Sequence, residues 1–293
     1  MPTSSSHRSS SKRSLEKTLL RFLRALPIRS EHNAWMLEIA RHPHIDLLLK
    51  SKGDYQTRHL QSYMHRRWSS RRKLDTIRTH VAFVMSEIAR SQHDALFLHD
   101  GITLGRWEIK THVYRLVLLR AQHNKEGEFQ LSLRDGDDNE IYFLVFSVGH
   151  FRQGGARCLY IGCLQGAKPE QGGTAIINAF YKAHHGLRAQ SLLMTALYAF
   201  KEVFALKEMY AISDRYTINS RYRHKIKTSY DEFWESCAAV AGADGWYRLP
   251  AQEPERDITT IKSKHRSAFR KREALREEIR DRILTTLQSL KTL

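Results

Sequence analysis

Imidazole titrates nearest to neutral pH of all side chains, and the pair His184-His185 stands directly before Gly186-Leu187-Arg188. A base at that place can take a proton from an acceptor while the Arg188 guanidinium holds an anionic group in a bidentate contact. Three further residues add oxygen chemistry. Asp214 follows the apolar stretch KEMYAIS, and Tyr230 and Asp231 open the segment YDEFW. His184, His185, Asp214, Tyr230 and Asp231 are therefore the candidate catalytic set for a group transfer. Each also has a structural reading. His184 can be a surface residue, Asp214 a turn former, and Asp231 an acid favoured in a first helical turn by the helix dipole. Phe233, Trp234 and Trp246 read as core.

Other chemistries find no support. The chain has no HExxH, no P-loop and no GxSxG. Its 16 histidines lack zinc spacing, so no metal site is expected. Cys158, Cys163 and Cys237 form no CxxC motif and no even disulfide set, which fits small buried thiols in a reducing compartment.

The charge balance points to an anionic partner. Lys and Arg number 48 against 31 Asp and Glu, a formal charge of +17 in 293 residues. That excess excludes an acidic solvating protein and suits an anionic membrane surface or nucleic acid, without choosing between them. It is concentrated locally. Residues 1–30 carry seven Lys and Arg against one acid, and residues 256–282 carry ten against five. Between Tyr55 and Leu74 six cations, Arg58 among them, occur without an acid and are interleaved with Tyr63, His65 and Trp68. Arg and aromatics together can stack on and neutralise nucleic acid. They can equally form a helix whose aromatics face the core while its arginines sit in water. No apolar run reaches the roughly 18–20 residues of a membrane span. The start lacks the pattern of a secretory signal, so a cytoplasmic location is expected.

The elements that must position these residues follow from periodicity. Residues 1–13 are Ser-rich and basic and read as disordered. Leu15, Leu19, Phe22 and Leu26 recur at helical spacing, with Ser14 as cap and Pro27 as stop. Residues 31–100 read as helical, broken at Pro43 and including a buried helix over 79–89. From residue 105 the period changes to that of strands. EFQLSLRD and EIYFLVFSVG flank Gly136-Asp137-Asp138-Asn139 as a hairpin, and RCLYIGCLQG reads as a central strand. An apolar helix over 188–205, the strand KEMYAIS, a helix over 228–242 and the strand GWYRLP complete the core. Leu275, Ile279, Ile283, Leu287 and Leu290 form the apolar stripe of a basic C-terminal helix. The expected organisation is a basic tail and amphipathic helix (1–30), a helical region (31–105), an α+β core (106–250) and the C-terminal helix (251–293).

Four segments carry a resemblance. YIGCLQG (160–166), HGLR (185–188) followed by QSLLMTAL, YDEFW (230–234) and DGWYRLP (244–250) resemble, in order and spacing, the VirK/YbjX family of Gram-negative bacterial proteins. The likeness extends over roughly residues 30–255. Ala189-Gln190 stands where Pro-Lys is expected, and Ser236 where an acid is expected. The resemblance implies a cytoplasmic or membrane-peripheral protein linked to envelope integrity, virulence and stress or antimicrobial-peptide resistance, without naming a reaction. The element order also resembles the layout of GNAT acyltransferases. The fold class expected is thus α+β, a mostly antiparallel central sheet flanked by helices and GNAT-like. In that layout, backbone amides at a helix N-terminus bind a pyrophosphate. It implies coenzyme A or another acyl carrier held by Gly186, Leu187, Arg188, Gln190 and Ser191, with Gly172-Gly173-Thr174 as a second candidate loop. Two functions stand side by side: acyl transfer at the inner face of the envelope, or a non-enzymatic stress-response protein that binds nucleic acid or another anionic partner.

Overall fold

The computed structural model describes residues 19–41, 55–122, 125–151, 155–168, 172–220, 229–255 and 257–292. The expected cap Ser14, the Ser-rich tail and the break at Pro43 lie outside them. Pro27 does not stop the chain's first helix from continuing. It sits in a single 3₁₀ turn, Leu26–Ile28, that leads straight into α1, Arg29–Arg41. Proline is tolerated there because a first-turn N–H needs no partner. Trp35 and Ile39 of α1 are buried, and the Trp35 indole donates to the Tyr55 carbonyl at 2.9 Å.

Helix α2 spans Ser70–Glu87, a full two turns further back than its apolar segment suggests. Ser69 caps it by accepting from the Arg72 amide at 3.2 Å, which allows the polar stretch SRRK to join the helix. A short α3, His93–Leu98, precedes the sheet.

The sheet has eight strands in the order β1-β2-β3-β4-β5-β6-β8-β7. They are β1 (Ile102–Ile109), β2 (His112–Arg120), β3 (Phe129–Asp135), β4 (Glu140–His150), β5 (Arg157–Gly166), β6 (Glu208–Ile212), β7 (Val240–Ala241) and β8 (Trp246–Arg248). All neighbours are antiparallel except β5 and β6, which pair in parallel from Cys158↔Glu208 to Ile161↔Ala211. The β3–β4 hairpin turns where the sequence places it. Asp138 takes φ +66°, and Asp135 Oδ1 accepts from the amides of Asp137 and Asn139. Side chains of β4 alternate between two clusters. Tyr142, Leu144 and Phe146 join the main core, whereas Phe143 and Val145 meet Ala121 and Cys163.

A parallel pair needs a crossover, and two helices supply it: α4, Gly173–Ala183, and α5, Ala189–Val203. Leu192, Leu193, Ala196, Leu197 and Phe200 of α5 are buried, with Phe200 against Phe129 and Phe146 of the sheet. The segment YDEFWES forms α6, Tyr230–Ser236. This is shorter than the expected helix over 228–242. Ala238 turns left-handed at φ +58°, and Val240–Ala241 pairs with β8 instead. Last comes α7, Arg266–Ser289. Its stripe residues Ile279, Ile283 and Leu287 are fully buried and Leu275 partly, so the stripe docks on the protein's own core. Arg282 holds α7 to β1 by donating to the Arg106 carbonyl at 2.9 Å.

One ion pair lies inside the core. Arg58 is 2% exposed and Glu128 1%, and Nη1 meets Oε2 at 2.5 Å. The guanidinium also stands over the Tyr55 ring at 4.1 Å. Ser147 of β4 receives the Glu128 amide at 3.0 Å and bonds the Tyr63 hydroxyl at 3.0 Å. The pair thereby fixes residues 55–64 to the sheet. Removing one partner of such a pair leaves a buried charge uncompensated, which costs about 3–5 kcal/mol. Glu128→Gln is therefore expected to lose stability on that scale in urea unfolding. Replacing both partners, Arg58→Met with Glu128→Leu, is expected to recover most of it. An unchanged midpoint for Glu128→Gln alone would show that the pair does not hold this segment.

Candidate functional site

The site is built on the junction between α4 and α5. His184 caps α4, and its amide donates to the Phe180 carbonyl at 3.0 Å. The Trp107 indole N–H, which can only donate, points at His184 Nε2 at 2.9 Å. Nε2 is therefore the acceptor, and the ring proton sits on Nδ1, 2.8 Å from the Phe180 carbonyl. The ring stacks on Phe180 at 3.8 Å and meets Tyr114 edge-on at 4.6 Å. Burial holds this imidazole neutral, with its pKa lowered to about 4. Both nitrogens are engaged, so His184 acts as a pin rather than a free base.

Two left-handed residues follow, His185 at φ +54° and Gly186 at φ +86°. They reverse the chain within one turn, closed by Gly186 N–H to Tyr181 O at 2.9 Å and Leu187 N–H to His184 O at 2.9 Å. Leu187 is buried and pulls the loop down, and Arg188 becomes the N-cap of α5. The Arg188 side chain makes no cap bond to that helix. Its first amides point out of a 15-residue helix with their donor capacity unspent.

The loop and Ser191 in the first turn of α5 border a cleft of about 460 Å³. Gly186, Leu187, Arg188 and Ser191 form one wall, and Met194 and Tyr198 of α5 form its floor. Ser236 and Cys237 close one end, while Glu253, Arg272, Glu273 and Arg276 form the opposite wall. Arg188 is exposed and has no acidic partner among the described residues. A Cβ on Gly186 would lie 3.6 Å from an Arg272 guanidinium nitrogen, so Arg272 reaches to the loop. Arg272 also contacts Glu273 at 3.2 Å and lies over the Phe269 ring at 5.0 Å. Arg276 bridges Glu253 and Glu273, each at 2.7 Å. Glu253 accepts in addition from the Thr195 hydroxyl at 2.8 Å. Burial raises the pKa of Glu253 above the ordinary carboxylate value, against the pull of Arg276.

The ten candidate residues fall into separate groups. Of His185, Arg188 and Asp214, only Arg188 lines the cleft. His185 is exposed on the rim of the loop. Gln190 turns to the sheet and donates to the Tyr142 hydroxyl at 3.0 Å. Asp214, Tyr230 and Asp231 gather at the other end of α6, roughly 9 Å of helix away from Ser236. There Asp214 accepts from the Tyr230 amide at 3.1 Å and the Ser229 hydroxyl at 2.8 Å, while Asp231 accepts from the Asp214 amide at 2.8 Å. The Tyr230 hydroxyl accepts from the Leu164 amide at 3.1 Å and contacts Cys163 Sγ at 3.3 Å. It bonds β5 at Leu164, beyond the last residue of that strand paired with β6, Ile161. Burial raises its pKa well above the ordinary phenol value.

Glu253, Arg272 and Arg276 escaped the sequence reading. The spacing of Arg272 and Arg276 beside the stripe residues Leu275 and Ile279 was the available signal, since positions flanking a docked stripe border whatever lies beside the contact. In the Tyr55–Leu74 stretch the helix begins only at Ser70. Tyr63 and His65 are buried and Arg58 is paired inside, while Trp68 is half-buried with the Arg72 guanidinium 5.3 Å from its ring centre and Arg66 and Arg67 are exposed. Among the described residues no group of three His, Cys, Asp or Glu could hold a metal, and no helix is long and apolar enough to cross a membrane.

Comparison with known proteins adds a lineage. The family model described as "Protein of unknown function (DUF535)" matches residues 10–285. The protein called "Uncharacterized protein YbjX" of Escherichia coli K12 is 31% identical over 259 residues, 86% of this chain and 77% of that protein. Among solved structures, a cAMP-binding acyltransferase from Mycobacterium smegmatis superposes with a TM-score of 0.32 at 11% identity. That match covers 75% of this chain and 61% of the other, and at such a score it carries no argument.

The pinned His184 has company in three other buried imidazoles. His59, His65 and His80 are likewise held near a pKa of about 4, first by burial. In the unfolded chain each returns to about 6.5. Between these values the unfolded state binds more protons, so stability is complete above pH 6.5 and declines as pH falls toward 4. Urea unfolding at stepped pH is expected to show a midpoint that drops across this window, with proton uptake on unfolding near pH 5.5. A flat midpoint and no uptake would mean that these rings are charged in the fold.

Proposed function

The chain belongs to the VirK/YbjX family, the DUF535 proteins, and from its cleft we propose that it is an acyltransferase working at the inner face of the bacterial envelope. One observation carries this reading. The one parallel strand pair among the described residues, β5 with β6, is joined through α4 and α5, and the start of α5 borders the 460 Å³ cleft at Arg188 and Ser191. The order of antiparallel strands, central strand, Gly-containing loop, apolar helix, strand, helix and final strand resembles the GNAT-like layout. The inserted α4 is its departure.

The acyl donor is a thioester of coenzyme A or of a phosphopantetheine carrier. Its phosphates lie against the first amides of α5, with Arg188 and Arg272 as counter-charges. Gly186 keeps the backbone accessible because it brings no side chain to the loop. Glu253 is the base within the cleft, where burial raises its pKa above the ordinary carboxylate value. The acceptor's nucleophile attacks the thioester carbonyl and gives its proton to Glu253. The C–S bond then breaks, and the proton passes on to the departing thiolate. The link to envelope integrity and stress resistance that the resemblance implies supports an acceptor at the envelope.

Thermal-shift and native mass spectrometry with coenzyme A and its acetyl ester test this reading. The full chain is expected to bind both, and Arg188→Glu to weaken binding by about tenfold or more, the worth of one charge-assisted contact. Glu253→Gln is expected to keep binding and lose transfer. Absence of any effect of coenzyme A or of an acyl carrier protein on the full chain would sink the proposal.

A further inference from the structure

Among the described residues ten large apolar side chains stand exposed, and six of them lie between residues 19 and 37. Leu19, Leu20, Phe22, Leu23 and Leu26 are 59, 50, 61, 50 and 49% exposed, and Leu37 of α1 is 54% exposed. Five large apolar groups within eight residues form a ridge, unlike the scattered single leucines normal on a surface. Arg24, on the same helical segment, donates to the Leu60 carbonyl at 2.8 Å and ties the ridge to the body of the protein.

We propose that this ridge docks the protein on an anionic lipid bilayer. From Lys17 to Ser30 the chain has no acid, while Arg21 and Arg29 flank Phe22 and Leu26 around a groove of about 550 Å³. The upstream sequence adds Arg8, Lys12 and Arg13. Leucine and phenylalanine gain free energy on leaving water only against apolar matter, which acyl chains supply and nucleic acid does not. The arginines meet lipid phosphates at the level where the headgroups lie. No helix among the described residues is both long and apolar enough to cross, so the ridge lies in the interface. This inference does not depend on acyl transfer, because coenzyme A binding is read without lipid.

Co-sedimentation of the full chain with vesicles tests it. The protein is expected to pellet with phosphatidylcholine vesicles containing about a third phosphatidylglycerol and to stay largely in solution with phosphatidylcholine alone. Phe22→Ser with Leu23→Ser, at exposed positions, is expected to weaken binding roughly tenfold or more while leaving the urea midpoint unchanged. Equal pelleting of the serine variant would overturn the proposal, as would the absence of binding to anionic vesicles. So would size-exclusion behaviour in which the native chain self-associates and the serine variant does not, for the ridge would then be an interface between copies.

Discussion

Everything the candidate site offers depends on one buried ring. His184 is held at both nitrogens, by the Trp107 indole on β1 and by the Phe180 carbonyl on α4. That arrangement fixes where α4 ends. The chain must then turn back through His185 and Gly186, both left-handed, so that Leu187 reaches the core and α5 starts at a set place. A histidine in this position combines the shape of an aromatic with one donor and one acceptor, which neither phenylalanine nor a charged residue provides. The same feature that makes imidazole a good base is unused here. Instead its tautomer is locked, and the loop it anchors presents Arg188 and the first amides of α5.

The second buried polar assembly works in a similar way at the other side of the molecule. Arg58 and Glu128, with Tyr55, Tyr63 and Ser147, bind the segment ahead of α2 to the sheet. Buried charges contribute little net stability, since desolvation offsets their attraction. Their effect is to tie residues 55–64 to the start of β3 and to β4. The two assemblies together clamp helical layers to the sheet, and α7 closes the cleft from outside through Arg272 and Arg276.

Local patterns carried much of this architecture into the sequence. The Gly136–Asn139 turn, the apolar run of β4 and the stripe of Ile279, Ile283 and Leu287 each declare an element within a few residues, because strand alternation and helical spacing are local constraints. The strand order and the parallel pairing of β5 with β6 are not local. Neither is the role of His184, whose partner Trp107 lies 77 residues away. The sequence marks a histidine near a glycine. Only packing decides that it faces inward. Asp214, Tyr230 and Asp231 were legible as a group, and they do meet, but as mutual caps around the start of α6. Glu253 was hidden for the opposite reason. It lies in a loop without periodicity, and its environment comes from Thr195 and Arg276 on two different helices.

The central claim is that the start of α5 receives the phosphate end of an acyl donor. Hydrogen exchange read residue by residue, with and without coenzyme A, addresses it directly. The amides of Ala189, Gln190 and Ser191 have no side-chain cap to protect them. Coenzyme A is expected to slow their exchange while the amides of α6 near Asp231 remain unchanged. Protection that appears elsewhere, with exchange at Ala189–Ser191 unaltered, would contradict it.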